Sequence, residues 1–325
     1  MNTMVAYFKL IRWPNLIVIS LTMLVVRYAI IASFLKLHHL SFQLSNLNFI
    51  FLVLATVLVA AGGYVINDYF DRRIDMENKP TKVIVGTQIE RRRVMGLHNI
   101  LTAMGLMVGF YVSYAIDRSS FALIFIIISG ALWFYSTLYK RQLLVGNILI
   151  ALLTAAVPLL VLLYDGAELF RSNILVFQMY PAVYSDMQYM IYAVVLFAGF
   201  AFFTTLTREI IKDIEDMEGD SSCQRNTVPI AWGILTSKII ISILLIITIL
   251  AIAFIYYIFL QGDMISLWYI LLLLVAPIIS LLVLLWIARS PKQFHFCSQF
   301  LKLIMIFGLL YAIPFYHFIL QPLSI

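Results

Sequence analysis

The residues best suited to chemistry lie in a short polar stretch that directly follows a run of apolar residues. The stretch begins at Asn67 and carries three carboxylates, Asp68, Asp71 and Asp75. If the apolar segment is a helix that continues through it, the four side chains fall within a sector about 100° wide. Carboxylates at such spacing repel one another and weaken a helix. We therefore expect a positive group to hold them in place.

The same spacing returns later in the chain. The second motif carries Asp213, Asp216 and Asp220, which repeat the separations of the first three aspartates and again follow an apolar segment. A single cluster of this kind could be a solvated helix end, but two copies with identical spacing favour a common function. Two facing acidic helices suit divalent cations, and Mg²⁺ prefers carboxylates combined with substrate phosphates. The two motifs therefore predict an Mg²⁺ site for a phosphorylated substrate.

The composition indicates which class of protein positions these motifs. Of the 325 residues, 63% are hydrophobic and only 12% are charged, which predicts an integral membrane protein. The net charge of +6 comes from basic residues dispersed among loops, so it reflects membrane topology and does not indicate nucleic-acid binding. The two cysteines, Cys223 and Cys297, indicate neither a disulfide nor a metal site.

Nine apolar segments are long enough to cross a bilayer. They cover approximately residues 14–35, 48–66, 94–115, 119–138, 145–164, 188–211, 236–260, 266–287 and 300–320. With the N-terminus inside, 18 of the 22 Lys and Arg residues fall in inner segments. The positive-inside rule therefore predicts a cytoplasmic N-terminus, an outer C-terminus and both acidic motifs at the cytoplasmic interface.

This topology leads to two further expectations, one for an outer loop and one for a charged residue within a span. Residues 165–187, which include Pro181, are predicted to form the longest outer loop. Arg27 lies near the middle of the first span, where a charge is costly. We expect it to snorkel or to be paired internally, with a functional role as the alternative.

Two carboxylate clusters at a membrane interface suit a lipid diphosphate. Metal ions can bridge the carboxylates to the diphosphate and stabilise it as a leaving group. Loss of diphosphate from an allylic chain leaves a carbocation, which an acceptor nucleophile can trap. A dry cavity within the membrane would protect that cation from water.

The chain resembles the UbiA-type intramembrane prenyltransferases over nearly its whole length. Asn67, Asp71 and Asp75 match the first motif of that family, and Asp216 and Asp220 match the second. The resemblance implies an all-α fold with nine transmembrane helices in a ring around a central lipid-accessible cavity. It also implies a single membrane domain, 1–325, with the two motifs in halves of about 1–140 and 141–325.

The resemblance assigns roles to individual residues. It implies a site in which Mg²⁺ is held by Asn67, Asp68, Asp71, Asp75, Asp213, Asp216 and Asp220, with Asp71 and Asp216 central to catalysis. It implies diphosphate contacts from Asn67, Arg72, Lys140, Arg141 and Lys212, with Tyr135 and Tyr139 near the reacting carbon. Each basic residue could instead anchor the topology, and both tyrosines could be interfacial aromatics. Shorter matches are Arg12-Trp13-Pro14-Asn15, Gly146-Asn147 and Thr227-Val228-Pro229 leading to Gly233.

The acceptor is suggested only by analogy. Asn78-x-Pro80 and the second motif look most like the branch of the family that prenylates geranylgeranylglyceryl phosphate, which would give a diether lipid. An aromatic acceptor, such as 4-hydroxybenzoate or homogentisate in quinone biosynthesis, is the alternative. The expected partners are thus a prenyl diphosphate, a lipid-soluble acceptor and membrane lipid, with no nucleic acid and no obligatory protein partner.

Two other classes of membrane protein share some of these features. Transporters have repeated halves and membrane carboxylates, but their sites usually lie at mid-membrane on broken helices, whereas these motifs lie at one interface. CDP-alcohol phosphotransferases also have clustered aspartates, but their D-G-x-x-A-R core is absent from the sequence. The prenyltransferase interpretation therefore accounts for the motifs best.

Overall fold

The computed structural model describes residues 3–78, 81, 83–222 and 225–320, and most of these residues are helical. The α-helices of the first half are α1 (Thr3–Leu10), α2 (Trp13–Val25), α3 (Ala32–Leu37), α4 (Asn46–Asn78), α5 (Arg91–Ala115), α6 (Ala122–Thr137) and α7 (Val145–Ser172). Those of the second half are α8 (Ile174–Met179), α9 (Pro181–Glu215), α10 (Met217–Ser222), α11 (Val228–Phe259), α12 (Met264–Tyr269), α13 (Ala276–Ile287), α14 (Pro291–Leu310) and α15 (Ala312–Leu320).

Shorter helical turns lie between some of these helices. Two π-helical turns, Val26–Ile31 and Ile270–Val275, join α2 to α3 and α12 to α13, and two 3₁₀ turns cover Ser119–Phe121 and Tyr139–Arg141. Of the residues used in the sequence analysis, those outside the described part are Pro80, Cys223 and the side chain of Asn78.

Nine helical stretches in the described part of the chain are long and apolar enough to cross a membrane. They are α2–α3, α4, α5, α6, α7, α9, α11, α12–α13 and α14–α15. Large apolar side chains such as Ile127 and Leu250 are 67% and 62% exposed on these helices, which suits a surface covered by lipid. The prediction of a membrane protein with nine spans is confirmed.

The helices form two compact units. The first unit comprises Met1–Met23, Leu44–Leu149 and Glu218–Asn226, and the second comprises Leu24–Gln43, Ile150–Met217 and Thr227–Ile325. Within the first unit, α4 packs along α5 and α6, and within the second unit, α9 packs along α11 and α14. A single domain over 1–325 stays a prediction.

The segment predicted as the longest outer loop is helical, so that prediction is wrong. Helix α7 continues to Ser172, and α9 begins at Pro181. Proline is well tolerated in the first turn of a helix, where its missing N–H has no intrahelical partner, so here it marks a helix start. Asp165 lies buried within α7, and its Oδ2 is 3.7 Å from Nε of the fully buried Arg27. Arg27 is therefore paired internally, one of the two outcomes expected for it.

The second acidic motif is interrupted, unlike the first. Helix α9 ends at Glu215, Asp216 occupies its C-cap, and a new helix begins at Met217. Carboxylates at the C-terminal end of a helix oppose the negative end of its dipole. Because a new helix begins at Met217, Glu218 and Asp220 lie in the first turn of α10. The helix dipole stabilises negative charge at that position. The expectation that each motif lies on one acidic helix is therefore wrong for the second motif.

Candidate functional site

Helix α4 carries the whole first motif without a break, as the spacing predicts. Val65, one turn before Tyr69, packs in a buried cluster with Leu10 of α1, Val85 of the following loop and Val94 of α5. This packing fixes the end of α4 on which the motif lies. Asn67 and Asp71 face inwards one turn apart and are only 7% and 5% exposed.

Two cations converge on the carboxylate of Asp71. The Lys140 ammonium donates to Oδ2, and Nη2 of Arg225 donates to Oδ1. Lys140 also donates to Oδ1 of Asn67 at 3.2 Å. A buried carboxylate is strongly destabilising unless it is paired in this way. The positive group that the sequence requires is therefore supplied by two side chains from other parts of the chain.

Lys140 stays charged in this environment. Burial disfavours the ammonium, but the attraction of Asp71 outweighs it, so the pKa of Lys140 lies above its ordinary value. The Nζ atom also lies 5.8 Å from the ring centroid of Tyr135, which is buried, and a cation over an aromatic face is stabilised. The structure thus brings together four residues predicted for the site: Asn67, Asp71, Tyr135 and Lys140.

Arg225 connects the first motif to the last aspartate of the second. Its Nη1 donates to Oδ1 of Asp220 at 3.1 Å, and its backbone N–H donates to the Asp220 carbonyl at 3.0 Å. The next residue, Asn226, donates to the Arg141 carbonyl at 3.1 Å, which ties this segment to the 3₁₀ turn that carries Lys140. Sequence reasoning did not assign Arg225 to the site, although its position five residues after Asp220 is a signal that could have found it.

Arg12 is a second cation that sequence reasoning did not assign as a partner. Its Nη2 donates to Oδ1 of Asp68 at 2.6 Å, and its guanidinium lies 5.2 Å from the ring centroid of Tyr64. The Arg12–Asp68 pair is more exposed than the pairs of Asp71, with side-chain exposures of 38% and 19%. The first two aspartates of the motif are therefore paired with different cations. Arg12 pairs with Asp68, whereas Lys140 and Arg225 pair with Asp71.

The remaining predicted residues of the first unit lie around this centre. Asp75 is half-buried one turn beyond Asp71, and Tyr139 and Arg141 lie on the same 3₁₀ turn as Lys140. Arg72 donates from Nε to the Val85 carbonyl at 3.1 Å, so it anchors the loop after α4. Diphosphate binding by Arg72 and Arg141, and the place of Tyr139 near the reacting carbon, stay predictions.

The other residues of the second motif belong to the second unit. Asp213 lies in the last turn of α9, and the Asp216 N–H donates to the Lys212 carbonyl at 2.9 Å. The Lys212 ammonium donates to both carboxylate oxygens of Glu209, at 3.0 and 3.1 Å. The metal and diphosphate roles of Lys212, Asp213 and Asp216 stay predictions.

The side-chain oxygen atoms at this site of the first unit are of the chemical type that binds Mg²⁺. Over the described ranges, no group of three or more His, Cys, Asp or Glu side chains is arranged as a metal site; basic side chains surround Asp71 instead. The available ligand atoms are carboxylate and amide oxygens, which Mg²⁺ prefers. Lys140 and Arg225 in turn match the phosphate oxygens of an anionic substrate. These atoms are of the kinds that would contact a diphosphate and an accompanying Mg²⁺.

Gly146 allows the 3₁₀ turn to lie against the start of α7. A Cβ at this position would lie 2.9 Å from the Lys140 Cα and 3.0 Å from the Tyr139 carbonyl oxygen. Both are backbone atoms, so Gly146→Ala must displace the turn. We expect a loss of about 1–3 kcal/mol in the free energy of unfolding and a fall of about tenfold or more in turnover.

The matched control for this prediction is Gly130→Ala in α6. A Cβ at Gly130 has no neighbour within 4 Å, so the substitution removes helical glycine without a clash and is expected to be neutral or stabilising by up to about 1 kcal/mol. Thermal unfolding in detergent and initial rates would compare the two variants. Equal effects at both positions would contradict the role of Gly146.

Comparison with known proteins gives consistent results. The sequence model of the UbiA prenyltransferase family matches residues 19–306. A digeranylgeranylglyceryl phosphate synthase from Sulfurisphaera tokodaii is 31% identical over 245 residues, which cover 74% of this chain and 76% of the relative. A solved structure of a digeranylgeranylglyceryl phosphate synthase is similar over 97% of this chain and 98% of its own, with a TM-score of 0.63 and 25% identity.

A second solved structure has the same fold at lower sequence identity. This UbiA homolog from Archaeoglobus fulgidus, bound to GPP and Mg²⁺, is similar over 95% of this chain and 99% of its own, with a TM-score of 0.54 and 18% identity. The all-α membrane fold predicted from the sequence is confirmed.

Proposed function

The chain belongs to the UbiA prenyltransferase family, and we propose that it transfers the geranylgeranyl group of geranylgeranyl diphosphate to geranylgeranylglyceryl phosphate, with Mg²⁺ as cofactor. As a member of this family it is a membrane enzyme that transfers prenyl groups. The relative from Sulfurisphaera tokodaii, a digeranylgeranylglyceryl phosphate synthase, supports the choice of acceptor. The homolog from Archaeoglobus fulgidus, bound to GPP and Mg²⁺, supports the donor and the metal.

The observation that carries the proposal is the buried Asp71 carboxylate with two cations on it. Lys140 and Arg225 are charged and share the Asp71 carboxylate, and Arg225 also pairs with Asp220. Both cations can donate further hydrogen bonds to phosphate oxygens. Charge-assisted hydrogen bonds of this kind are strong in a partly desolvated site. We assign both residues to the diphosphate, together with Asn67 and the previously predicted Arg72, Arg141 and Lys212.

The residues proposed to hold Mg²⁺ are Asn67, Asp68, Asp71, Asp75, Asp213, Asp216 and Asp220. When bound, the metal neutralises the diphosphate and makes it a better leaving group. The C1–O bond of the donor breaks, and the diphosphate departs with the bonding electrons. Tyr135 and Tyr139 present aromatic faces that stabilise the allylic cation. The acceptor hydroxyl oxygen then bonds to C1, and its proton passes to the released diphosphate, which leaves the neutral ether.

We also propose an orientation for the protein in the cell membrane. The distribution of Lys and Arg supports a cytoplasmic N-terminus, cytoplasmic acidic motifs and an outer C-terminus. In this orientation, soluble diphosphate is released on the cytoplasmic side, and the diether product remains in the bilayer. The enzyme requires no protein partner in this scheme.

A single assay on purified protein tests the proposed function. The protein is incubated with Mg²⁺, radiolabelled geranylgeranyl diphosphate, and either geranylgeranylglyceryl phosphate or 4-hydroxybenzoate. We expect label in the glycerol lipid and none in the aromatic compound. Label only in the aromatic compound would assign the enzyme to quinone biosynthesis, and release of diphosphate with neither product would leave another acceptor to be found.

A further inference from the structure

The second unit contains a cavity of about 720 Å³. Its lining comes from α3, α9, α11, α14 and α15, together with the loop Leu260–Asp263 and the π-helical turn Ile270–Val275. On α9 the lining residues run from Asp186 to Phe200, which precede Asp213 by 27 and 13 residues. At about 1.5 Å per residue, they lie about 40 and 20 Å from Asp213 along the helix axis. The cavity is therefore at the opposite end of α9 from the second acidic motif.

The cavity also lies on a different face of α9 from the motif. Tyr189, Ala193 and Phe197 recur at every fourth residue and all line the cavity, so they mark one face of the helix. At about 100° per residue, Asp213 lies about 160° round the helix from Ala193. A ligand held by Asp213 would therefore lie on the other side of α9, and the cavity is a separate binding space.

The deep part of the cavity is apolar. Gly308 packs so closely on the ring of Phe200 that a Cβ at this glycine would clash with it. Tyr311 is buried, and its hydroxyl donates to Oγ of Ser266 at 2.8 Å, so the hydroxyl already has a partner. The Tyr311 ring stacks on that of Phe197, with 6.4 Å between the centroids. A polar group placed among these rings would lose its hydrogen bonds to water, so this part of the cavity suits a hydrocarbon chain.

The other end of the cavity is polar and acidic. Asp186, Gln261 and Asp263 line it. Oδ2 of Asp186 lies 2.9 Å from Nε2 of His38, and the two carboxylate oxygens of Asp263 accept from backbone N–H groups of α12 at 3.1 and 3.2 Å. An ionised carboxylate has about four acceptor positions, so both side chains can accept further hydrogen bonds. Among the described residues, the cavity lining includes no Lys or Arg, so this mouth favours an uncharged hydrogen-bond donor over a phosphate.

We propose that this cavity binds an uncharged lipid alcohol, with its hydrocarbon chain in the apolar part and its hydroxyl group at Asp186 and Asp263. Both substrates of the proposed reaction carry phosphate, so neither of them is this ligand. The site therefore goes beyond the proposed function and does not depend on it.

The dimensions and the surroundings of the cavity agree with this occupant. The α9 residues that line it span about 21 Å, and the hydrocarbon of one membrane leaflet is about 15 Å thick, so a lipid chain of ordinary length fits along it. Tyr192 and Phe259 line the cavity and are exposed, which leaves one side open to the bilayer. Apolar cavities stay free of water but take up apolar molecules, and lipid chains are the molecules that surround a membrane span.

Binding of two lipid alcohols to the purified protein tests the proposal. Geranylgeraniol has an isoprenoid chain and oleyl alcohol has a straight chain, so together they distinguish the two sources of such a ligand. Native mass spectrometry would count the bound molecules, and thermal unfolding would report their stabilising effect. We expect at least one of the alcohols to bind with one molecule per chain and to raise the unfolding temperature. Geranylgeranyl monophosphate should bind this cavity at least about tenfold more weakly than geranylgeraniol, because the carboxylates repel it.

Two variants locate the binding in this cavity. Ala193→Phe fills the cavity from α9 and should weaken alcohol binding about tenfold or more. Its matched control is Ala253→Phe, because Ala253 is exposed on α11 beside the lining residue Ile252; it should bind as the wild type does. Asp186→Ala removes an acceptor for the hydroxyl and should weaken binding about tenfold. It should still fold, since its ion pair with His38 is partly exposed and such pairs contribute little to stability.

The outcomes are independent of prenyl transfer. Asp71→Asn, which removes a residue of the proposed reaction, should bind the alcohols as the wild type does. Failure of both alcohols to bind would overturn the proposal, and so would binding that Ala193→Phe and Asp186→Ala leave unchanged. Equal binding of geranylgeraniol and its monophosphate in this cavity would contradict the choice of an uncharged ligand. None of these results would alter the test of the proposed function, which measures turnover.

Discussion

Replacing Asp71 with asparagine is expected to abolish turnover, with a loss of about 1,000-fold or more in kcat. The side chain keeps its size but loses the charge that holds Lys140 and Arg225. It also loses one of the oxygen ligands proposed for Mg²⁺. Initial rates with saturating geranylgeranyl diphosphate, acceptor and Mg²⁺ would measure the effect. Retention of most of the wild-type activity would rule out a metal-binding role for Asp71.

The same substitution should lower stability without preventing membrane insertion. Two partly buried cations lose their shared carboxylate, so we expect the free energy of unfolding to fall by about 1–3 kcal/mol. Insertion depends on the apolar spans, which are unchanged. The matched control is Glu90→Gln, because Glu90 and Arg93 form an exposed ion pair with side chains 73% and 66% exposed. Such a pair contributes little, so this variant should resemble the wild type in both rate and unfolding temperature.

The parts of the molecule that local spacing controls were predictable from the sequence. Apolar segment length gives the nine spans, and the continuation of α4 through Asn67 and Asp71 follows from helical periodicity. The need for a cation beside Asp71 also follows from charge repulsion alone. Lys140 was a candidate for the site through the family resemblance, and the structure places it on Asp71.

The features that sequence reasoning missed depend on contacts between distant segments or on competing local effects. Arg225 contacts Asp71 from a distant part of the chain, and its neighbour Asn226 donates to the Arg141 carbonyl in the 3₁₀ turn. The break at Asp216 depends on the balance between helix propensity and dipole, which spacing alone does not reveal. Pro181 was interpreted as a loop residue although proline equally marks a helix start.

Arg225→Gln should change metal binding and catalysis in opposite directions. Arg225 occupies oxygens of both Asp71 and Asp220, two of the proposed Mg²⁺ ligands. Without the positive charge of Arg225, the negative charges of Asp71 and Asp220 are less neutralised. Mg²⁺ should therefore bind the substrate-free protein about tenfold more tightly. Turnover should nevertheless fall about 100-fold, because a donor to the diphosphate is lost. Titration calorimetry with Mg²⁺ and initial rates would measure the two effects.

The coupling between Mg²⁺ binding and diphosphate binding should differ between the wild type and Arg225→Gln. If Mg²⁺ and diphosphate bridge the same carboxylates and cations, each must strengthen the binding of the other by the same factor. This coupling should be strong in the wild type, where Arg225 leaves Asp71 and Asp220 for the phosphate, and weak in Arg225→Gln. Arg93→Gln, at an exposed side chain, should keep the coupling of the wild type. Weaker Mg²⁺ binding by Arg225→Gln would instead mean that Arg225 positions the two carboxylates for the metal and does not compete with it.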